Sequence, residues 1–172
     1  AKQELNSMGY DSTLDYLHDM SKLVLENTSL LPHLNPGVMD LKQIEKLRNV
    51  SASQGIMLES VSNRLSMKGQ PHHGSPDKNP ELRLETIKNA GKAKVPFTSG
   101  ILIGIGETRL ERVESLFALR DLHDQYGHLQ EIIIQNFRAK PDTIMKDFPE
   151  PSLEELLWTL SIARLIFGKD MN

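Results

Sequence analysis

The chain has 172 residues, with 20 Lys and Arg against 23 Asp and Glu and a formal net charge of −3, which argues against nucleic acid or an anionic membrane surface as its main partner. Hydrophobic residues make up 38% and charged residues 25%, so a core can be buried and disorder by composition is excluded. Cysteine is absent, which excludes disulfides, a thiol nucleophile and any thiolate-ligated cluster built from these residues alone; no apolar run approaches the ~18 residues of a membrane span, and a reducing, cytoplasmic setting is expected.

The chain starts at Ala1 and stops two residues beyond Lys169-Asp170, just past Gly168, so both ends read as cut from a longer polypeptide. Ser12 is placed to cap a helix in which Leu14, Leu17 and Val24 recur at helical spacing to about Asn27. Leu30 to Leu34 reads as a short extended piece ended by the turn cluster Asn35-Pro36-Gly37. Asp40 caps a helix carrying Leu41, Ile44 and Leu47, and Gly55 to Glu59 is an apolar run too short for a helix. A polar stretch from Ser60 to Asn79 follows, after which Asn79-Pro80 opens a helix with proline at its first position, where the missing N–H costs nothing.

Pro96 to Ile105 reads as a strand, and Thr108 with Glu111 as a capping box for a helix with Leu110, Val113, Phe117 and Leu122 on one face. Gly127 ends it, Glu131 to Phe137 is a β-branched strand, and Ser152 with Glu155 forms a second capping box opening a helix to about Phe167. Continuous apolar strands imply coverage on both faces, as in a parallel sheet flanked by helices. The architecture is therefore α/β, and a barrel or an open sheet would both fit.

Sites in such folds lie at the carboxyl ends of the strands. Those ends carry His33 and Asn35, Glu59 and Ser60, Gly104 to Glu107, and Gln135 to Arg138. Gly104-Ile105-Gly106 does not extend to a dinucleotide fingerprint, because Arg109 stands where the third glycine is needed, and no Walker loop is present. Glycines there would let a flat or charged ligand approach the backbone. His72-His73 lacks a third ligand at metal-site spacing and reads as loop, while His18, His123 and His128 read as helix-surface residues. Arg83, in the first turn of a helix, is either a surface charge balanced by Glu81 and Glu85 or a fork for a ligand carboxylate.

Four stretches carry a family resemblance: Met57-Leu58-Glu59-Ser60, His72-His73-Gly74-Ser75-Pro76-Asp77-Lys78, Gly100 to Thr108, and Gln135-Asn136-Phe137-Arg138-Ala139-Lys140-Pro141. With Leu31 to Gly37 they resemble the 7,8-didemethyl-8-hydroxy-5-deazariboflavin (FO) synthase family of radical S-adenosylmethionine (SAM) enzymes, over essentially the whole chain. The resemblance implies a (β/α) TIM-type barrel of parallel strands flanked by helices. Residues 1–172 would be an internal portion of one such domain, from about the second to the sixth barrel helix, lacking the cluster loop and the C-terminal strands.

It further implies S-adenosyl-L-methionine and a [4Fe–4S] cluster whose cysteine ligands, in a C-x₃-C-x₂-C loop, lie outside this chain, so the segment alone would be inactive. Glu59, Ser60, Arg83, Leu102 and Gly104 would bind the cofactor, with Glu59 meeting its methionyl amine and Arg83 its carboxylate. His33, Asn35, Gln135 and Asn136 would face the substrate. The implied reaction uses a 5′-deoxyadenosyl radical to close the deazaflavin chromophore of coenzyme F420 from a tyrosine-derived adduct of 5-amino-6-ribitylaminouracil, a small-molecule substrate. A partner synthase subunit or fused domain would make that adduct. The alternatives are a sister radical SAM enzyme, either the adduct-forming synthase or an aminofutalosine-type enzyme, and a non-catalytic partial barrel. Pro141-Asp142-Thr143-Ile144-Met145 departs from the Pro-Gly-Thr-Pro-Met of the family pattern.

Overall fold

Residues 2–172 are described by a computed structural model; Ala1, and with it the expected cut at the amino terminus, lies outside them. Four strands, β1 (His33–Leu34), β2 (Ser53–Gly55), β3 (Phe97–Ile103) and β4 (Leu129–Asn136), form one parallel sheet in the order β1-β2-β3-β4. Every crossover contains a helix: α3 (Leu41–Arg48), α4 (Pro80–Lys92) and α5 (Arg109–Tyr126). Helices α1 (Lys2–Ser7) and α2 (Thr13–Asn27) precede the sheet, and α6 (Leu153–Phe167) follows it. The core fills the layer between sheet and helices, where Ile44, Leu47, Ile87, Phe97, Ile103 and Leu116 are wholly inaccessible.

The helix starts follow their local chemistry. The Ser12 side chain accepts from the Asp15 amide, Asn79 from Glu81 and Leu82, and both Asp40–Gln43 and Thr108–Glu111 close reciprocal capping boxes. Gly127 ends α5 in the left-handed region at φ 62°. The second expected box is only half formed. Ser152 caps the Glu155 amide, but the Glu155 carboxylate turns away to Arg109 and Arg112, because two guanidiniums outbid one amide.

Three other expectations are corrected. The extended piece at 30–34 joins the sheet only from Pro32 onward, its carbonyl accepting from the Ala52 amide at 2.9 Å and His33 and Leu34 pairing with β2, which leaves Leu30 and Leu31 exposed. Helix α5 buries Arg112, Ser115, Leu116 and Leu119 rather than Leu110 and Phe117, which face solvent. Its rotation is fixed by polar partners that hydrophobic spacing does not register: Arg112 pairs with Glu107, and the Ser115 hydroxyl accepts from the Val61 amide at 3.0 Å. Strand β4 is not covered on both faces. Ile132 and Ile134 pack toward the core, whereas Ile133 on the opposite face is 37% exposed.

Between β3 and β4 the backbones approach so closely that a Cβ on Gly100 would lie 2.0 Å from the Ile133 carbonyl oxygen. No other residue fits that position. The opposite face of the sheet from the core carries Ser53, Thr98, Leu102 and Gln135, the positions that line the inside of a barrel when such a sheet closes. Among the described residues, no helix is long and apolar enough to cross a membrane.

Candidate functional site

Beyond β2 the chain leaves regular pairing, then rejoins β3 at one bridge, Glu59 to Ile101. The Glu59 amide donates to the Gly100 carbonyl, and the Glu59 carbonyl accepts from Leu102, both at 3.0 Å. Between these two bonds Glu59 adopts φ 64°, a conformation that non-glycine residues enter only when their surroundings hold them there. The result is a carboxylate at the carboxyl end of the sheet with a side chain only 11% exposed.

Three donors converge on it. Oε2 accepts from His72 Nε2 at 2.9 Å, while Oε1 accepts from Arg83 Nη1 at 2.9 Å and from Lys78 Nζ. Burial works to raise the Glu59 pKa, but the hydrogen bonds from His72 and Lys78 and the charge of Arg83 outweigh it and bring the group down to about 2. Glu59 is therefore a fixed negative charge. Arg83 is itself spoken for: Nε donates to the Asp77 carbonyl at 2.8 Å, Nη1 also donates to the Met57 carbonyl at 2.5 Å, and Nη2 lies 3.7 Å from the Asp77 carboxylate. Its side chain is 7% exposed, against 32% for Lys78. The buried Ser60 uses its hydroxyl to accept from the Ser62 amide at 3.1 Å.

The glycine turn after β3 is filled from within the protein. Glu107, almost fully buried, accepts from the amides of Gly104 and Ile105 at 2.8 Å each and from Arg112 at 2.7 Å. Gly104 and Gly106 both have positive φ, and a Cβ on Gly104 would sit 2.5 Å from Pro151 Cδ. Glycine at 104 is required by that proline, a reason independent of any ligand. Glu111 ties the neighbouring loop to α5 by accepting from Ser62 and from Arg64 at 2.8 Å, and those bonds, Arg64 above all, bring its carboxyl down to about 2.

Two cavities open beside the strand ends. One of about 670 Å³ is lined by Pro71, His73, Ile105, Met145 and Phe148 among others, and one of about 600 Å³ by His73, Leu102, Gln135, Asn136, Arg138 and Lys140 among others. They share Pro71, His73, Ile144 and Met145, and so form two lobes of one groove. Phe137 and Phe148 meet edge to face at 6.2 Å, and Arg138 pairs with Glu150, contacts that fix the segment after β4 along the side of the groove. Asn136 Oδ1 is buried without a hydrogen-bonding partner among the described residues.

The structure thus brings Glu59, Ser60 and Arg83 together at one strand end, and Leu102, Gln135 and Asn136 together at the groove. His33 and Asn35 stand elsewhere. His33 is in register with Ser53, bonding its hydroxyl at 2.8 Å, far down the strands from the Glu59–Ile101 level. Asn35 is exposed just after β1, and neither residue lines the groove. His128 is buried at the start of β4, bonded to the Ile87 carbonyl at 2.9 Å, and is not a helix-surface residue; burial lowers its pKa. Sequence reasoning missed His72 and Lys78 as partners of Glu59. The stretch containing them was singled out as a motif, yet nothing in a polar loop's spacing says where its side chains converge. Among the described residues, no group of three or more His, Asp or Glu could hold a metal ion.

No protein-family model matches the chain. It is 55% identical over 172 residues to a protein named FO synthase from Nocardia farcinica, covering 99% of this chain and 20% of that one. It is 52% identical over 165 residues to 7,8-didemethyl-8-hydroxy-5-deazariboflavin synthase from Methanocaldococcus jannaschii, covering 96% of this chain and 46% of the relative. The chain therefore spans about a fifth of the longer curated relatives and just under half of the shorter ones. Among solved structures, the FeFe-hydrogenase maturase HydG from Carboxydothermus hydrogenoformans aligns with a TM-score of 0.76 at 16% identity, over 91% of this chain and 37% of that one. Methylornithine synthase (PylB) aligns with a TM-score of 0.73 at 20% identity, over 90% and 43%. The fold is that of a section of the partial TIM barrel these proteins share.

Proposed function

We propose that these 172 residues are an internal portion of the radical SAM barrel of an FO synthase, with Glu59 as the anchor of the cofactor's amino-acid end. The high identity over nearly the whole chain to proteins of that name supports the family reading. The observation that carries the site is the buried, ionised Glu59 carboxylate at a strand end, met by the cations Arg83 and Lys78 and by the His72 imidazole. A zwitterionic α-amino acid needs one anion and one cation side by side in a place shielded from water.

The donor set fits S-adenosylmethionine. Glu59 would accept from its ammonium, Arg83 would hold Glu59 rigid and offer Nη2 to its carboxylate, and Ser60, Leu102 and the Gly104 turn would border the rest. When bound, this cofactor supplies a 5′-deoxyadenosyl radical on one-electron reduction. A [4Fe–4S] cluster does not fit the residues present, since the chain offers no thiolate; in this reading its ligands belong to other parts of the polypeptide. We place the protein in the cytoplasm, whose reducing poise such a cluster needs.

Gln135 and Asn136 face the substrate across the groove from His73, and their carboxamides are suited to the donor and acceptor edges of an aminouracil. The chain's own work is positioning. The segment from Arg138 to Glu150, held by the Phe137–Phe148 contact and by the Arg138–Glu150 pair, lines one side of the groove and would bound the substrate there. The substrate is the tyrosine-derived adduct of 5-amino-6-ribitylaminouracil, supplied by a partner synthase subunit or fused domain, and the product is the deazaflavin chromophore. The relatives' names favour this over a sister radical SAM enzyme.

The test is calorimetry of S-adenosylmethionine with the full-length protein carrying this segment, before and after Glu59→Gln, alongside fluorescence of the deazaflavin product. Binding that weakens tenfold or more on Glu59→Gln, with product formation lost, is the expected result. Unchanged binding would remove Glu59 from the cofactor site.

A further inference from the structure

We infer that the inner face of the sheet, well below the strand ends, holds the polyol tail of the substrate, and that His33 and Glu131 are the residues that select it. The inference deepens the function proposed above and rests on it. Four polar side chains stand in one row across all four strands, on the face turned away from the helices. His33 is in register with Ser53; Gly55, the next inward-facing residue of β2, is in register with Thr98, and Thr98 with Glu131. With strands about 4.8 Å apart, the row spans roughly 14 Å.

The inside of a closed barrel is ordinarily filled by layers of branched apolar side chains. This level instead carries an imidazole, two hydroxyls and a carboxylate, groups that need partners once the barrel closes around them. Their own bonds leave capacity over. His33 Nδ1 meets the Ser53 hydroxyl at 2.8 Å, and the Thr98 hydroxyl donates to Glu131 Oε2 across a long 3.4 Å. Among the described residues, His33 Nε2 and Glu131 Oε1 bond nothing further. A Cβ on Gly55 would stand 3.1 Å from His33 Nε2, so the missing side chain makes room for the imidazole on this face.

A run of vicinal hydroxyls suits such a row. Each hydroxyl both donates and accepts, so it meets His33 Nε2 in either tautomer and the Glu131 carboxylate as well. An alkyl tail would leave both groups unpaired. A phosphate would face a carboxylate in a row that holds no Lys or Arg. Gln135 lies four residues further along the same face of β4, about 13 Å from Glu131 along the strand. A heterocycle held at Gln135 therefore directs a polyol substituent down the face, past Gly100 and Ile133, toward the row.

The experiment titrates the full-length protein carrying this segment with two fluorescent ligands, the deazaflavin product and its N10-methyl counterpart, which lacks the polyol. It compares the unaltered protein with His33→Phe, Glu131→Met and Glu131→Gln. The expected result is that His33→Phe and Glu131→Met each weaken product binding about tenfold and leave the N10-methyl ligand unchanged, with Glu131→Gln in between. The readout is the difference between two ligands on one variant, so a general loss of stability does not imitate it. Equal effects on both ligands, no effect on either, or equal affinity of the unaltered protein for the two would overturn the inference and leave the synthase reading standing. Failure of the unaltered protein to bind either ligand would overturn both.

Discussion

Replacing Glu59 by Gln removes one negative charge from a place where three donors depend on it. Its carboxyl is depressed from 4.5 to about 2, and at roughly 1.4 kcal/mol per pH unit this corresponds to about 3 kcal/mol of stability. Because the folded-state value lies below the unfolded one, that contribution is complete above about pH 4.5 and disappears as the pH falls toward 2. Glu59→Gln should therefore cost about 3 kcal/mol at pH 7, and the gap to the unaltered chain should shrink progressively between pH 4.5 and 2. Taking the difference between the two proteins cancels the other carboxylates, including Glu111. Urea titrations at submicromolar concentration can follow the single tryptophan, Trp158, which stacks under Arg109 at 4.6 Å. A cost that stays constant from pH 7 to pH 3 would refute the argument, since it would assign the loss to shape and not to charge.

Gly100→Ala drives a Cβ into the Ile133 carbonyl, so β3 and β4 should separate; insoluble expression, or loss of amide protection in both strands by hydrogen exchange, would be the outcome. The 172-residue chain alone should form no iron–sulfur cluster on reconstitution, because it has no cysteine; a charge-transfer band on the cysteine-free chain would contradict this. At tens of micromolar the same chain should associate through β1, β4 and the exposed leucines 157 and 165 of α6. Light scattering showing a sharp monomer would be the opposing result.

The helix starts were legible because a cap is a local bargain: Ser12, Asp40, Asn79 and Thr108 each bond an amide two or three residues away. The parallel sheet was legible from unbroken apolar runs. The face of α5 was not, because Arg112 and Ser115 are buried by partners on other elements, and a hydrophobic pattern counts both as solvent-facing. Likewise Glu59 and Arg83 could be placed as opposite charges near one strand end. That Arg83 is held by two backbone carbonyls as well as by Glu59, while Lys78 meets Glu59, follows only from contacts spanning 6 to 26 residues across a loop without periodicity. His33 and Asn35 end a short strand and so stand lower in the sheet than Glu59, an offset that the spacing of apolar runs does not disclose.

From the turn after β3, one alternating line of charges runs outward: Glu107 to Arg112, Arg112 to Glu155, Glu155 to Arg109, and Arg109 over Trp158. Each member touches both neighbours, and Glu107 grips two backbone amides at its inner end. Such a line behaves as a strut. Helix α6 cannot slide along α5 without pulling on the 104–107 turn, and that turn cannot open without dragging α6. The position of α6 is in this way tied to the strand end 104–107, whose Ile105 and Gly106 line the groove.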